Sequence, residues 1–380
     1  MIHYGNIHMY EKHNGMLEIK PEMLIQTKDQ LEQVYTPSIA DISMAISENN
    51  CLKDKITLSG KLVAVVTDGS AVLGLGNIGA CAGLPVVEAK SLIYKSFAGV
   101  DAIPIAVRPV SIDEFVDTIT NISLSFSGIH LEDIAAPNCF EIERRLNKQL
   151  NIPVYHDDQE GTAIVVLAAL INATKVVGKK LKDLNIVING IGAGGVATAQ
   201  LLLSVGITKL TLVDKDGIIK KDSPNHNKYQ TNLAKLSQVS PKGSTLSEAI
   251  EGKDVFIGLS VSNVLRASHI RKMASDPIIF ALANPIPEID PITAEKAGAA
   301  VVATGSSQYV NQINNILVFP GLFKGILSSG VKHVNMKLQV IIAREIASMI
   351  SDPNKDNIIP TVFKSNIVNH VSQAVKNYTN

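Results

Sequence analysis

The stretch from Ile129 to Gly161 constrains the fold more than any other part of the chain. It contains two short apolar segments of strand character, each followed at once by a pair of acidic residues, and a helix-like run separates them. Strands that alternate with helices form βα units and a largely parallel sheet. The pairs Glu132–Asp133 and Asp157–Asp158 are therefore predicted at the ends of two consecutive strands, where open α/β sheets bind their ligands.

Four carboxylates at one edge of a sheet have two interpretations. Acidic residues at strand ends often cap the helix that follows, and a single pair favours that interpretation. Hard divalent cations such as Mg²⁺ and Mn²⁺ prefer oxygen ligands, which clustered Asp and Glu side chains supply. Because two acidic pairs occupy equivalent positions around one unit, the sequence favours a metal site.

A second series of βα units begins after Gly161. An apolar helix-like run leads to a strand at 185–188, and the segment Gly190-x-Gly192-x-x-Gly195 then opens a second helix; the following strand ends at Asp214. Glycines at this spacing allow a tight turn and close backbone approach, and the helix N-terminus stabilises a pyrophosphate. With strand, glycines, helix and acid in this order, the segment predicts a dinucleotide site.

The sequence favours NAD over NADP as the dinucleotide. Asp214 is placed to accept hydrogen bonds from the adenosine ribose, and its charge would repel a 2′-phosphate. Three nearby lysines keep NADP open as the alternative: Lys215, Lys220 and Lys221. The loop residues predicted to contact the cofactor are Gly190, Gly192, Ala193, Gly194, Gly195 and Val196.

Together these patterns predict an α/β protein of two domains. Residues 1–157 would form a smaller α/β domain that carries the substrate and metal residues. Residues 158–380 would form a Rossmann-like domain with a doubly wound parallel sheet. Helical patterns over about 335–380 are candidates for packing back on the first domain.

The overall composition narrows the class of partner. Lysine plus arginine and aspartate plus glutamate each number 35, so no global field attracts nucleic acid or an acidic membrane. The sequence has no recognisable signal peptide or membrane-spanning run. Three cysteines without a CxxC pair argue against a disulfide framework or a zinc site and suit a reducing compartment. We expect a cytoplasmic protein that acts on a small molecule.

Several further residues have two interpretations each. Lys90 lies in an otherwise apolar helix, either as a snorkelling surface lysine or, if it faces the site, as a base whose pKa burial lowers. Tyr35, just before Thr-Pro, is either a core residue or a proton donor. Asn284 and Asn315 are either turn formers or uncharged groups that hold a carboxylate. The glycine segment at Gly74 is either a packing feature or a loop close to substrate.

The motifs, taken in order, closely resemble malic enzymes of the short bacterial type. They are Tyr35-Thr-Pro, Thr67-Asp-Gly-Ser-Ala-Val-Leu-Gly-Leu-Gly-Asn-Ile-Gly, Glu88-Ala-Lys, Phe97-Ala-Gly-Val-Asp-Ala, Leu131-Glu-Asp, His156-Asp-Asp-Gln-Glu-Gly-Thr-Ala, the Gly190 loop, Ala281-Leu-Ala-Asn-Pro and Asn314-Asn-Ile-Leu-Val-Phe-Pro-Gly. The resemblance implies oxidative decarboxylation of L-malate to pyruvate and CO₂, with NAD(P) and Mg²⁺ or Mn²⁺. It also implies a homodimer.

The same resemblance implies roles for individual residues. Lys90 corresponds to the general base and Tyr35 to the general acid. The residues that correspond to metal ligands are Glu132, Asp133 and Asp158. Asp157 corresponds to a residue that either bridges to the cation or contacts its ligands. Asn284 and Asn315 correspond to contacts with the substrate carboxylate, and Asn284 also to a cofactor contact.

Three departures from the family pattern leave points open. Ala71 replaces an arginine of the longer eukaryotic forms, and Glu160 replaces a histidine of many short bacterial ones. We also expect no phosphotransacetylase-like extension of the kind that hybrid forms of the family have. The alternative functions are an oxaloacetate decarboxylase of the same family without net redox chemistry and, with less support, a non-catalytic NAD-binding regulator.

Overall fold

The computed structural model describes residues 4–221, 225–239, 243–364 and 366–378, with only the backbone described for residues 4–6 and 73. The strands are β1 (Leu62–Thr67), β2 (Asp101–Ala106), β3 (Gly128–Leu131), β4 (Val154–His156), β5 (Ile186–Asn189), β6 (Leu210–Asp214), β7 (Gly217–Ile218), β8 (Val255–Gly258), β9 (Ile278–Ala281) and β10 (Val301–Thr304). They form two separate sheets.

The helices connect and cover these sheets. They are α1 (Tyr4–His13), α2 (Lys28–Val34), α3 (Ile39–Glu48), α4 (Lys53–Ile56), α5 (Ala80–Ile93), α6 (Ile112–Ile122), α7 (Asn138–Gln149), α8 (Thr162–Val176), α9 (Ala193–Ser204), α10 (Lys228–Leu236), α11 (Leu246–Ala249), α12 (Ala267–Ile270), α13 (Pro291–Lys296), α14 (Phe319–Ser329), α15 (Met336–Ser348) and α16 (Ile367–Lys376). Among the described residues no helix is long and apolar enough to cross a membrane.

The first sheet has the strand order β2-β1-β3-β4, and all of its pairings are parallel. Every side chain of β1 is buried, as expected for a central strand with both faces covered. Helix α7 connects β3 to β4, which is the crossover that two adjacent parallel strands require.

The second sheet has the order β10-β9-β8-β5-β6-β7 and is parallel except for the short edge strand β7. The chain runs outwards from β5 to β6 and then returns to the other side of β5 with β8. This reversal is the topological switch point of a doubly wound sheet, and the glycine loop follows β5 at that point. The predicted fold class, α/β with a Rossmann-like second sheet and a smaller first unit, is confirmed.

Helix α14 covers the first sheet, although it lies far along the chain. The Phe323 ring packs so closely on β3 that a Cβ on Gly128 would lie 2.6 Å from it. Helix α16 packs on α14, and α15 packs on the buried helix α8. Phe363, ahead of α16, faces Phe97 of the first unit with the ring centroids 6.0 Å apart. One buried apolar cluster therefore runs through both sheets.

The contact between α14 and α16 depends on glycine. A Cβ on Gly325 would lie 2.5 Å from Val375 Cβ and 2.9 Å from the Ser372 carbonyl oxygen. We expect Gly325→Ala to lower the thermal unfolding midpoint, because overpacking of about 1–3 kcal/mol exceeds the gain in helix propensity of about 1 kcal/mol. The exposed Ser328→Ala on the same helix is the control. Equal midpoints for both variants would contradict this account of the packing.

Candidate active site

The acidic residues follow the ends of two adjacent strands of the first sheet. Strand β3 ends one residue before Glu132, and β4 ends one residue before Asp157. The parallel register pairs Leu131 with His156, the last residues of these strands. Both acidic pairs therefore leave the sheet at the same edge.

Three of the carboxylates form a candidate metal site. Glu132, Asp133 and Asp158 each offer one oxygen within 4.8 Å of the others. Glu132 and Asp133 are buried, whereas Asp158 keeps 33% of its side chain exposed. Asp133 has a φ of 55°, a left-handed conformation that costs on the order of 1–3 kcal/mol and is often found at functional sites. This all-oxygen donor set fits Mg²⁺ or Mn²⁺.

Asp158 is oriented by hydrogen bonds to one of its two oxygens. Oδ2 accepts from the Asp133 amide at 2.9 Å and from His156 Nε2 at 3.0 Å. His156 Nδ1 lies 2.7 Å from Nε2 of the Gln159 side-chain amide, a contact that orients the ring with its Nε2 towards Asp158. Burial acts to raise the pKa of Asp158, but His156 outweighs it and the pKa lies below its usual value. No described residue donates to Oδ1, so this oxygen remains available to a cation.

Lys90 of α5 faces this cluster rather than the surface. Its side chain is 12% exposed; the ammonium lies 3.1 Å from Glu132 Oε1 and donates to Asp157 Oδ2. It also lies 4.8 Å from the centre of the Phe319 ring. Burial alone would lower the pKa of Lys90, but the carboxylates of Asp157 and Glu132 raise it above its usual value. The expectation of a lowered pKa is therefore wrong for this charge state.

Asp157 differs from Asp158 in having protein partners on both oxygens. Tyr155 donates its hydroxyl to Oδ1 at 2.6 Å, and Lys90 donates to Oδ2. A second possible ligand group, formed by His130, Glu132 and Asp157, has its atoms within 4.8 Å of one another. Both oxygens of Asp157 and both ring nitrogens of His130 already have a protein partner, so this group is the poorer candidate for a cation.

A buried chain behind Glu132 was not predicted from the sequence. Tyr94 Oη lies 2.8 Å from His130 Nδ1, and His130 Nε2 lies 2.8 Å from Glu132 Oε2. Burial lowers the pKa of His130 to about 3, so its ring is neutral, donates to Glu132 and accepts from Tyr94. The available signal was the strand period, which puts residues 130 and 132 on the same face of the sheet.

Burial also dominates the state of Glu132 itself. It raises the pKa of this carboxyl to about 8, although Lys90 acts in the opposite direction. Before a cation binds, the Lys90 ammonium therefore neutralises only part of this acidic group, and Glu132 does not ionise fully near neutral pH. A metal ion entering this site has to displace a proton.

Glu160 points away from the candidate metal site. Its carboxylate accepts a hydrogen bond from the His156 amide at 2.9 Å. Burial raises the pKa of Glu160 well above its usual value, and the neighbouring Glu143 on α7 raises it further. Gln159 donates to Glu143 at 2.6 Å. The residue that departs from the family pattern thus joins the strand end to α7.

The glycine loop has the close contacts that a dinucleotide site requires. Gly190 has a φ of 99°, and a Cβ there would clash with the Leu259 carbonyl. A Cβ on Gly195 would clash with the Gly190 carbonyl, so this glycine allows α9 to approach β5. Nothing lies within 4 Å of a Cβ built on Gly192, and α9 has no side-chain cap. The first amides of α9 are therefore open to an anion.

The glycine loop adjoins the acidic edge of the first sheet. A Cβ on Gly194 would lie 3.2 Å from the Asp158 carbonyl oxygen. Ala193 is the first residue of α9, and Val196 is buried beneath the loop. The turn formed by residues 157–161 packs against α9. The structure thus brings the predicted cofactor loop next to the predicted metal ligands.

Asp214 ends β6 as predicted and has a defined orientation. Its Oδ1 accepts from the Lys215 amide at 2.9 Å, and its Oδ2 accepts from Gln230 Nε2 at 2.7 Å. Gln230 belongs to α10 and was not predicted as a site residue. The Asp214 carboxylate is half-buried. Gln230 also donates to the Ile191 carbonyl, so its side chain connects this carboxylate to the glycine loop.

The predicted asparagines each lie beside a glycine close to the motifs of the first unit. A Cβ on Gly74 would clash with the Asn284 carbonyl, so the loop of the first unit meets the end of β9 there. A Cβ on Gly161 would lie 3.1 Å from Asn315 Cβ. Asn284 is exposed and Asn315 half-buried, so both have surface available to a ligand.

Tyr35 is the predicted site residue that the single chain does not bring to this cluster. It ends α2, is 63% exposed, and makes no side-chain hydrogen bond with any described residue. The surrounding segment also lacks buried residues: no described side chain from residue 7 to residue 48 is buried.

Comparisons with known proteins agree along nearly the whole chain. The family model "Malic enzyme, NAD binding domain" matches residues 159–379, and "Malic enzyme, N-terminal domain" matches residues 14–111 and 108–147. An NAD-dependent malic enzyme of Geobacillus stearothermophilus is 46% identical over 363 residues, covering 95% of this chain and 76% of that protein. A bifunctional malic/malolactic enzyme of Bacillus subtilis is 44% identical, covering 97% and 91%.

A solved structure is similar over the same length. The crystal structure of an NAD-dependent malic enzyme from Thermotoga maritima superposes with a TM-score of 0.94 at 40% identity, covering 98% of each chain. Proteins named NADP-dependent malic enzymes also match, at 38–41% identity.

The buried ion pairs of Lys90 yield a stability prediction. Lys90→Met should destabilise the protein by about 3–5 kcal/mol, because it leaves buried carboxylates without their cation. The loss should be larger at pH 8 than at pH 5. Burial raises the pKa of Glu132 to about 8, and Lys90 acts to lower it. At pH 5 this carboxyl is protonated with or without the ammonium, whereas at pH 8 the variant has to keep it protonated or bury its charge without a cation.

Thermal unfolding at both pH values, in the presence of a chelator, tests this expectation. Lys95→Met is the matched control, because the Lys95 side chain is 58% exposed and forms its ion pair with Asp101 at the surface. An equal loss of stability at pH 5 and pH 8 would contradict the assigned electrostatics.

Proposed function

The chain belongs to the malic enzyme family, and from this premise we propose that it oxidises and decarboxylates L-malate to pyruvate and CO₂ with reduction of NAD(P)⁺. The observation that carries the proposal is the junction of the acidic edge with the glycine loop, where a Cβ on Gly194 would lie 3.2 Å from the Asp158 carbonyl oxygen. A metal-bound hydroxy acid and a nicotinamide have to meet for this reaction. Decarboxylation of oxaloacetate alone is not favoured, because it has no use for the glycine loop and Asp214.

We propose that the activity depends on Mg²⁺ or Mn²⁺ held by Glu132, Asp133 and Asp158. Three observations support this assignment: no described residue donates to Oδ1 of Asp158, the backbone of Asp133 is strained, and the donor set is all oxygen. When bound, the cation would polarise the malate C2 hydroxyl and stabilise negative charge on the oxygen as CO₂ leaves.

Lys90 is proposed as the general base. Once its ammonium has lost a proton, the Lys90 amine would be able to accept the C2 hydroxyl proton of malate. NAD(P)⁺, when bound, would supply the hydride acceptor. Its contacts with Asp157 and Glu132 hold the ammonium at the acidic edge, and the Tyr155 hydroxyl fixes Asp157 in turn. A second positive charge at Glu132 would lower the pKa of Lys90, which a base needs.

Asn284 and Asn315 are proposed to bind the substrate carboxylate. The position of Asn315 supports this role, because a Cβ on Gly161 would lie close to both Asn315 and the Asp157 carboxylate; Asn284 lies beside Gly74 of the first unit. Ala71 supplies no charge there, so amide groups would carry the recognition of the carboxylate. The family resemblance also implies a cofactor contact for Asn284, and we propose that role as well.

We also propose that the protein is a homodimer. Large apolar side chains of the N-terminal segment are exposed, including Ile19 at 87% and Leu24 at 66%. Exposed apolar surface of this kind marks protein interfaces. Tyr35 belongs to the same segment, so its proposed role as general acid for C3 of enolpyruvate requires an association that brings it to a site.

Activity assays with L-malate and each of the two cofactors test the function directly. With L-malate and Mn²⁺, absorbance at 340 nm should rise, and kcat/KM should be higher with NAD⁺ than with NADP⁺, because Asp214 repels a 2′-phosphate. CO₂ release from oxaloacetate without malate-dependent reduction of either cofactor would overturn the proposed activity. A higher kcat/KM with NADP⁺ would overturn only the cofactor preference.

Metal binding separates the proposed ligands from their neighbours. Asp158→Asn should weaken Mn²⁺ binding at least tenfold, roughly the loss seen when a metal site is disturbed. Glu160→Gln is the control, because that carboxyl faces Glu143 and should leave the affinity nearly unchanged. Isothermal titration calorimetry measures both.

The same titrations should depend on pH. Wild-type affinity should increase from pH 6 to pH 8, because Glu132 has to lose its proton before it binds a cation. The assigned ligand set would be contradicted if both substitutions weakened Mn²⁺ binding equally, or if the wild-type affinity fell with rising pH.

A further inference from the structure

Gln230 joins three parts of the cofactor region through one buried side chain. Its Nε2 donates to Asp214 Oδ2 at 2.7 Å and to the Ile191 carbonyl at 3.0 Å. Its Oε1 accepts from the Asn227 amide at 3.1 Å. The residue is 7% exposed, and both amide protons are used. Strand β6, the glycine loop and the start of α10 therefore meet at a single amide group.

This amide is the side chain that holds Asp214. The other bond to the carboxylate comes from the adjacent Lys215 amide, which holds Oδ1 but does not define where Oδ2 points. Ile191 lies between Gly190 and Gly192, so the shared Nε2 ties the carboxylate to the peptide that curves around a pyrophosphate. Without Gln230, nothing among the described side chains would keep Oδ2 from turning towards water.

We propose that Gln230 is a positioning residue that determines the choice between NAD and NADP. The inference rests on the proposed dinucleotide function. A carboxylate oxygen has two acceptor sites, so each oxygen of Asp214 retains one for a ribose hydroxyl. Like charges at contact distance repel strongly, so the Asp214 carboxylate excludes a 2′-phosphate while it stays in place. A 2′-phosphate could enter if this carboxylate rotated away. Gln230 prevents that movement and thereby enforces the exclusion.

A purely structural role for Gln230 makes a different prediction. The residue is also part of the N-terminal cap of α10, where Asn227 Oδ1 accepts from the Tyr229 and Gln230 amides at 3.0 and 3.1 Å. If capping were its whole contribution, removing Asn227 would have the same consequences. Asn227→Ala weakens the cap, by about 1 kcal/mol, but leaves the contact between Gln230 and Asp214 intact.

The test compares Gln230→Met, Asn227→Ala, Asp214→Asn and the double variant Gln230→Met with Asp214→Asn. For each, kcat and KM are measured with NAD⁺ and NADP⁺, together with the thermal midpoint. Gln230→Met should reduce the ratio of kcat/KM for NAD⁺ over NADP⁺ about tenfold, equivalent to about 1.4 kcal/mol. The change should lie mainly in KM, because the ribose is remote from hydride transfer.

The controls make each outcome decisive. Asn227→Ala should lower the midpoint and leave the ratio unchanged, and the double variant should match Asp214→Asn. A wild-type ratio in Gln230→Met beside a reduced ratio in Asp214→Asn would overturn the inference while the proposed NAD preference stands. A wild-type ratio in Asp214→Asn as well would overturn both the inference and the assignment of the NAD preference to Asp214. Equal effects of Asn227→Ala and Gln230→Met on the ratio would show that Gln230 acts only through the N-terminal cap of α10, which would also overturn the inference.

Discussion

The parallel pairing of β3 with β4 is the constraint on which the candidate site depends. It brings two acidic pairs to one edge, where mutual repulsion and partial burial disfavour ionisation. The fold tolerates this arrangement because individual carboxylates have specific partners. Lys90 lies between Glu132 and Asp157, while His156 and a backbone amide hold Asp158. The remaining excess of negative charge is the physical reason that a divalent cation suits this edge.

The rigidity of this edge comes from parts of the chain that are distant in sequence. His130 is enclosed by aromatic rings, with Tyr94, Tyr155 and Phe319 in edge contacts at 5.5–5.7 Å between centroids. Phe319 and Phe323 belong to α14, whose own support is α16. Preorganised ligands lose little freedom on binding, so packing in the C-terminal part contributes to the chemistry at the strand ends of the first sheet.

The βα periodicity was sufficient to predict both sheets and the edge at which the acids lie, because strand ends in a parallel sheet share one side. Helix α14 was not predicted, since Pro320, Gly321 and Gly325 argue against a helix. The structure resolves the conflict: proline is tolerated in a first helical turn, and the glycines allow α16 to approach. His130 and Gln230 were not predicted either. The strand period puts His130 on the same face as Glu132, but the contacts that define its role come from Tyr94 and α14, and the contact of Gln230 with Asp214 is tertiary as well.

The cofactor loop and the acidic edge are connected by short, packed contacts rather than by a linker. The turn after β4 runs directly into α8 and packs on α9, so one segment carries Asp158 and also borders Gly194. A second link joins Tyr229 of α10 to Phe140 of α7, with ring centroids 4.5 Å apart. Hydride transfer requires the reacting atoms to approach within about 3–3.5 Å. These two contacts tie the cofactor side to the acidic edge, so the residues that orient Asp158 and Asp214 bear on the same reaction geometry.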